Sequence, residues 1–230
     1  MQGLLLVDKP KEWTSFDVVN FVRRQVAAVE GKKPKNTKVG HTGTLDPLAT
    51  GLLVLLVGKE YTRKATELTK LDKTYEVTMK LGEMSSTGDE EGEKKAVSAT
   101  VPTEEAVLEA LRTFQGQIMQ VPPAFSAMKI NGQRAYKLAR EGKVVELEAR
   151  PVQIYKNELT GYEYPFVKFT SEVGSGTYIR SLVEDLGKVL GTGAYMSGLR
   201  RTKVGPFNIE NAAVTGNLNQ ESLASYLQSL

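Results

Sequence analysis

The chain has 230 residues, with 30 Lys plus Arg against 27 Asp plus Glu, one His and no Cys. At 40% hydrophobic and 25% charged it is an ordinary globular composition, long enough to bury a substantial core. The absence of Cys excludes thiol nucleophiles, disulfides, thiolate zinc sites and Fe–S clusters, and one His excludes every zinc site that needs two imidazoles.

Net charge is only +3, but residues 1–80 carry 14 basic and 9 acidic groups, 81–120 carry 3 and 8, and 121–210 carry 13 and 9. Two basic segments therefore flank an acidic one, a pattern open both to a phosphate-bearing partner and to a mixed solvated surface. The N-terminus has no basic n-region or cleavage site, and the longest aliphatic run, Leu52 to Val57, is far too short to cross a bilayer. The expectation is a soluble cytoplasmic protein.

In chain order, Gly3 to Val7 reads as a buried strand running into the loop Asp8-Lys9-Pro10. Thr14 or Ser15 can cap a helix with apolar positions Val18, Val19, Val22, Val26 and Val29, ending near Gly31 before the basic stretch KKPKNTK. Leu52 to Val57 is a second buried strand, Lys59 to Lys70 a helix, and Thr74 to Leu81 a strand with Tyr75, Val77, Met79 and Leu81 on one face. The acidic stretch from Gly82 to Lys95 reads as an exposed loop, and Thr103 caps a helix to about Phe114.

Residues 120–143, with Pro122-Pro123, a short strand near Met128 to Ile130, Gly132 and a basic helical turn, read as an insertion rather than core. Strands near 152–160 and 166–173, a helix from about Thr177 to Leu190 and a strand near Met196 to Val204 follow. Strands and helices mix without a βαβ rhythm, which points to an α+β fold with a mixed, mainly antiparallel central sheet flanked by helices. No Pro/Ser-rich linker divides the chain, so 1–230 reads as a single domain.

Cofactor fingerprints fail. Gly174-Ser175-Gly176 and Gly191-Thr192-Gly193 have Ile179 and Met196 where a dinucleotide-binding motif needs its third Gly, and no P-loop or G-x-S-x-G elbow occurs. The acids of 83–93 lack EF-hand spacing and read as a solvated loop. The segment KVGHTGTLDPLATGLL (38–53) is different: it gathers Gly40, Gly43, Gly51, the only His (His41) and Asp46-Pro47 between two strands. Such a loop can aim one carboxylate, although most Asp-Pro pairs only cap turns.

GHTGTLDPLATG (40–51) closely resembles the active-site loop of the bacterial TruB-type tRNA pseudouridine synthases, which make pseudouridine at position 55 in the T loop. The resemblance continues in DKPKEWTSFDVV (8–19), KTYEVTMKLG (73–82), QVPPAFSAMKINGQRAYKLAR (120–140), RPVQI (150–154), GTYIRSLVEDLG (176–187) and LRRTKVGPF (199–207), in the family's order and across most of the chain. One departure is that the chain ends 23 residues after Phe207, where typical members continue into a separate C-terminal RNA-binding domain. The expectation is therefore a catalytic domain alone, carrying the 120–143 insertion.

The resemblance implies the pseudouridine synthase fold, tRNA as partner through its T arm, and no cofactor or metal, since the isomerisation needs no redox change or group donor. It makes Asp46 the nucleophile, Arg180 its ionic partner and Tyr75 the ring against the target uracil. An opposite charge within ~4–6 Å favours the ionised form of a carboxylate. It places His41 beside the flipped nucleotide, with Tyr178 and Leu199 lining the base pocket. Lys129, Arg134, Lys137 and Arg140 of the insertion, and Lys9, are suited to RNA phosphates. No membrane and no obligate protein partner are implied, and a monomer is expected. Two other readings are an RNA-binding tRNA folding factor with incidental catalysis, and a carboxylate-nucleophile hydrolase suggested by Asp46 alone, for which no acid/base partner is identifiable.

Overall fold

A computed structural model describes residues 1–126, 128–130, 132–141 and 147–229. Its contacts divide into two units: Met1–Tyr75 with Leu199–Leu230, and Glu76–Gly198.

The first unit is built on β1 (Gly3–Lys9), α1 (Ser15–Val29), β2 (Val39–His41) and β3 (Thr50–Val57). The runs LLLV and LLVLLV do not alternate in polarity because both faces of these strands are covered. Leu5, Val7, Leu53, Leu55 and Val57 meet Val18, Val19, Val22 and Val26 of α1, while Leu4, Leu6, Leu52, Val54 and Leu56 pack on Leu68, Val204 and Phe207. β1 and β3 are antiparallel in the register Leu5↔Leu55, and β2 extends β3 on its far half. Thr14 caps α1 in a reciprocal box with Asp17, which leaves the hydroxyl of Ser15 free for another task.

The expected helix over 59–70 is two short ones, α2 (Lys59–Arg63) and α3 (Ala65–Thr69), broken at Lys64. The break keeps Tyr61, Ala65, Leu68 and Leu71 all on the apolar face of the strands.

β4 (Lys73–Leu81) leads into the second unit. There the acidic stretch is exposed as expected at Glu90, Glu91 and Glu93, but it is no simple loop: β5 (Glu83–Ser85) and β6 (Lys94–Ala96) pair as a ribbon, and Asp89 between them is 6% exposed. A buried carboxylate needs partners, and Asp89 has the Thr87 hydroxyl, the Glu91 N–H and Arg180. Helix α4 (Glu104–Thr113), capped by Thr103, follows, then β7 (Gly116–Gln120).

The segment after Gln120 contains the small hairpin β8 (Lys129–Ile130) and β9 (Gln133–Arg134), a sheet of its own, and α5 (Ala135–Arg140). β10 (Arg150–Glu163) pairs antiparallel with both β7 and β11 (Phe166–Val173). Helix α6 (Ile179–Val189) buries Leu182, Val183 and Leu186.

β12 (Ala194–Val204) returns to the first unit, where it runs parallel to β3 with Arg201 beside Gly51. A short β13 (Phe207–Asn208) turns back on it. β14 (Ala213–Val214), α7 (Leu223–Tyr226) and β15 (Leu227–Gln228) complete the unit, both strands pairing with β1. Most pairings are antiparallel and helices flank the sheet, which is the expected α+β class. Among the described residues no helix is long and apolar enough to cross a membrane.

Candidate active site

The 42–49 loop has almost no regular structure, yet nearly every turn of its backbone is tied. The Thr42 N–H donates to Val54 O at 3.1 Å. The Ser15 hydroxyl accepts from the Leu45 N–H at 2.8 Å and donates to Leu45 O at 2.9 Å, so one buried side chain clamps the residue before Asp46. The Ala49 N–H donates to Asp46 O at 3.1 Å, closing a turn with Pro47 at its second position, and the Glu12 N–H donates to Pro47 O at 2.8 Å. Arg201, 2% exposed, reaches under the loop with Nε on Leu52 O at 2.8 Å and Nη2 on Gly43 O at 3.1 Å. Gly51 makes this possible: at φ +103° a Cβ there would lie 2.3 Å from Arg201 O and 2.7 Å from Arg201 N. Asp46 itself stays half-exposed on this rigid support.

Three cations are buried around the loop: Lys9 (0% exposed), Lys73 and Arg201. The Lys9 ammonium donates to Pro10 O, Trp13 O and Pro47 O at 2.9, 2.6 and 3.2 Å. Burial lowers its pKa to about 8, with Asp46 pulling it back up and Arg201 pushing it further down. Lys73, bonded to Thr69 O at 2.7 Å and to Leu71 O, is also lowered to about 8 by burial and by Arg201, against Asp72. Burial, with Arg201 adding to it, also lowers the pKa of His41, which keeps the imidazole neutral near pH 7. Its Nδ1 accepts from the Gly43 N–H at 3.3 Å, which leaves the ring proton on Nε2.

Tyr75 stands two residues from Lys73 and Leu199 two from Arg201, so each shares a strand face with a buried cation beneath the loop. A Cβ at Gly43 would lie 3.5 Å from Arg201 and 3.9 Å from Lys73. His41, Asp46, Tyr75 (8% exposed) and Leu199 all belong to the first unit.

Tyr178 and Arg180 belong to the second unit. The Gln120 amide clamps the Tyr178 backbone, accepting from its N–H at 2.8 Å and donating to its carbonyl at 3.1 Å. The Arg150 guanidinium lies 5.3 Å from the centre of its ring. Arg180 is 6% exposed, donates to Thr87 O at 3.2 Å and Phe125 O at 2.9 Å, and lies 3.7 Å from Asp89.

Lys9, expected to suit an RNA phosphate, is corrected by the structure: its buried ammonium is taken up by three carbonyls and is no phosphate contact. Lys137 is exposed on α5, while the side chains of Lys129, Arg134 and Arg140 lie outside the described residues. The supports the sequence reading missed are Ser15, Lys73, Arg201, Gln120, Arg150 and Asp89. Only their positions inside the matched motif blocks, or near them, gave any signal.

A chain in the crystal structure of a Cbf5-Nop10-Gar1 complex superposes on 94% of this chain with a TM-score of 0.70 at 30% identity, and this chain covers 53% of it. Fold and family comparison together define the class: a pseudouridine synthase. The family model described as TruB family pseudouridylate synthase (N terminal domain) matches residues 31–179, and that of the tRNA pseudouridylate synthase B C-terminal domain matches 180–228. A protein named tRNA pseudouridine synthase B from Protochlamydia amoebophila is 44% identical over 92% of this chain and 77% of its own length. One of the same name from Clostridium acetobutylicum is 44% identical over 97% and 74%. The chain belongs to the TruB family of pseudouridylate synthases.

Proposed function

We propose that this protein isomerises uridine to pseudouridine at position 55 in the T loop of tRNA, with the Asp46 carboxylate as nucleophile. The observation that carries the reading is the tethered 42–49 loop, which holds a half-exposed carboxylate in one direction beside a neutral imidazole and buried cations. The reaction breaks the bond between C1′ and N1, turns the uracil, and joins C1′ to C5; the C5 hydrogen then leaves as a proton and N1 takes one up, so the site needs an anionic group beside the sugar–base bond and a path for that proton. The target uridine is extruded from the folded T loop to reach it.

In this reading Arg180 is the ionic partner of Asp46, Tyr75 packs on the uracil, His41 holds the space the base vacates, and Tyr178 and Leu199 line the base pocket. The 120–143 insertion, through Lys129, Arg134, Lys137 and Arg140, grips RNA phosphates. The protein acts as a cytoplasmic monomer with no obligate protein partner. The test is tritium release from C5-labelled uridine in a T-arm stem-loop. Asp46→Asn should bind that RNA as the parent does and release no tritium; turnover above a few per cent would remove Asp46 from the nucleophile role. Binding by the parent without any turnover would favour the folding-factor reading.

A further inference from the structure

The basic stretch between α1 and β2 has no part in the site described above, and its surroundings form a groove. It measures about 570 Å³ and is lined by Asn20, Arg23 and Arg24 of α1, by Pro34 and Lys35 of a short 3-10 turn, and by Lys38 and Val39 entering β2. Four cations face it and no carboxylate does. The two acids of the flanking helix and its end are committed elsewhere: Asp17 caps α1 with Thr14, and Glu30 is paired with Lys32 at 3.0 Å.

Arg23 is preset rather than solvated. Its Nη1 donates to Asn20 Oδ1 at 2.7 Å, its Nη2 to Val39 O at 3.2 Å, and its guanidinium lies 5.7 Å from the centre of the Phe16 ring, itself 59% exposed. Arg24, Lys35 and Lys38 are exposed. A fixed guanidinium beside an open aromatic ring and three exposed cations suits a nucleic-acid strand, whose phosphates offer anions for the cations and whose bases offer a flat face for the ring. Position supports the same ligand. Val39 lines the groove and His41 flanks the Asp46 loop, and the two strand steps from one to the other, through Gly40, span only about 7 Å.

We propose that the groove between α1 and the 3-10 turn binds the sugar–phosphate backbone of the same RNA whose uridine enters the Asp46 loop, gripping it on the flank of the target nucleotide. The proposal deepens the function above and rests on it for the identity of the RNA. It adds a contact surface independent of the 120–143 insertion.

The experiment compares Arg24→Glu/Lys35→Glu/Lys38→Glu with a control of equal net charge, Lys156→Glu/Lys168→Glu/Lys188→Glu, whose lysines are exposed on the second unit. The dissociation constant for a fluorescein-labelled T-arm stem-loop is measured across a salt series. Loss of three phosphate contacts should reduce the log–log salt slope by roughly 2 to 3 and weaken low-salt binding at least about tenfold, while the control changes the slope by less than about 1. Equal losses in both variants, or none in the groove variant, would overturn the proposal. So would a groove variant that keeps its RNA slope and loses binding to phosphatidylserine vesicles. If the triple variant melts well below the parent, Lys35→Gln/Lys38→Gln replaces it, with an expected slope change of roughly 1 to 2. A parent that shows the groove-dependent slope but releases no tritium would refute the isomerase reading while supporting the groove.

Discussion

Ser15→Ala removes one oxygen and tests whether the rigidity of the Asp46 loop matters to its chemistry. That hydroxyl is the partner of both the N–H and the C=O of Leu45, a residue only 3% exposed. Each orphaned buried group costs about 1–3 kcal/mol, so the pair is worth roughly 2–6 kcal/mol unless the loop shifts to meet water. For a chain of this size that is a fall in Tm of roughly 4–24 °C, at about 2–4 °C per kcal/mol. The helix is not the cause, because Thr14 and Asp17 keep the capping box. If the loop relaxes instead, Asp46 moves with it, and a displacement of about 1 Å can cost ~10²-fold in rate. Stability and rate are therefore coupled: the variant loses one, the other, or some of each. Thermal melts and single-turnover tritium release on saturating T-arm RNA read both. A Tm within 2 °C together with a rate within threefold of the parent would refute the claim that this hydroxyl holds the loop.

Three further outcomes are expected. Gly51→Ala places a Cβ 2.3 Å from Arg201 O at φ +103°; strain of about 1–3 kcal/mol and overpacking of similar size should lower Tm by roughly 10 °C, and an unchanged melt would show that the strands separate freely. Tyr75→Phe keeps the ring that the proposed function sets against the uracil, so a drop of ~10²–10⁴-fold in single-turnover rate would assign its hydroxyl to proton transfer, which is the expected result, while a rate within threefold would leave it a packing residue. Lys73 has a folded pKa near 8, below the unfolded value of 10.5, so between those values the unfolded chain binds more protons and stability from this group rises with pH. Relative to Lys73→Met, the parent should gain up to about 3 kcal/mol between pH 7.5 and 10.5 by urea denaturation, and a constant difference would count against a buried charged amine at that site.

The elements legible in the sequence are those whose apolar pattern has one physical reading. LLLV and LLVLLV could only be strands covered on both faces, and the α1 valines recur at helical spacing on one side. Elements were missed where tertiary partners, not local pattern, decide. β14 and β15 are two residues each and exist because β1 offers an unpaired edge. The acidic stretch looked solvated because its charge outweighs its one telling residue, Asp89, whose burial depends on Arg180 about ninety positions later.

The candidate site divides in the same way. The loop that carries Asp46 and His41 stood out because a Gly-rich stretch with the single His is unusual, but the roles expected of both, like those of Tyr75, Tyr178, Leu199 and Arg180, came through the motif blocks alone. The buried cations were not legible at all, since lysine is almost never fully buried unless something receives it. Lys9, Lys73 and Arg201 crowd one another: Arg201 depresses both lysines, and burial depresses them further. A fold selected for stability alone would do better with apolar side chains of the same volume, because partly compensated buried charge is costly. Positive charge kept there against that cost, around a half-exposed carboxylate and a neutral imidazole, makes sense when the ligand arrives carrying negative charge of its own. A flipped nucleotide with its flanking phosphates is such a ligand.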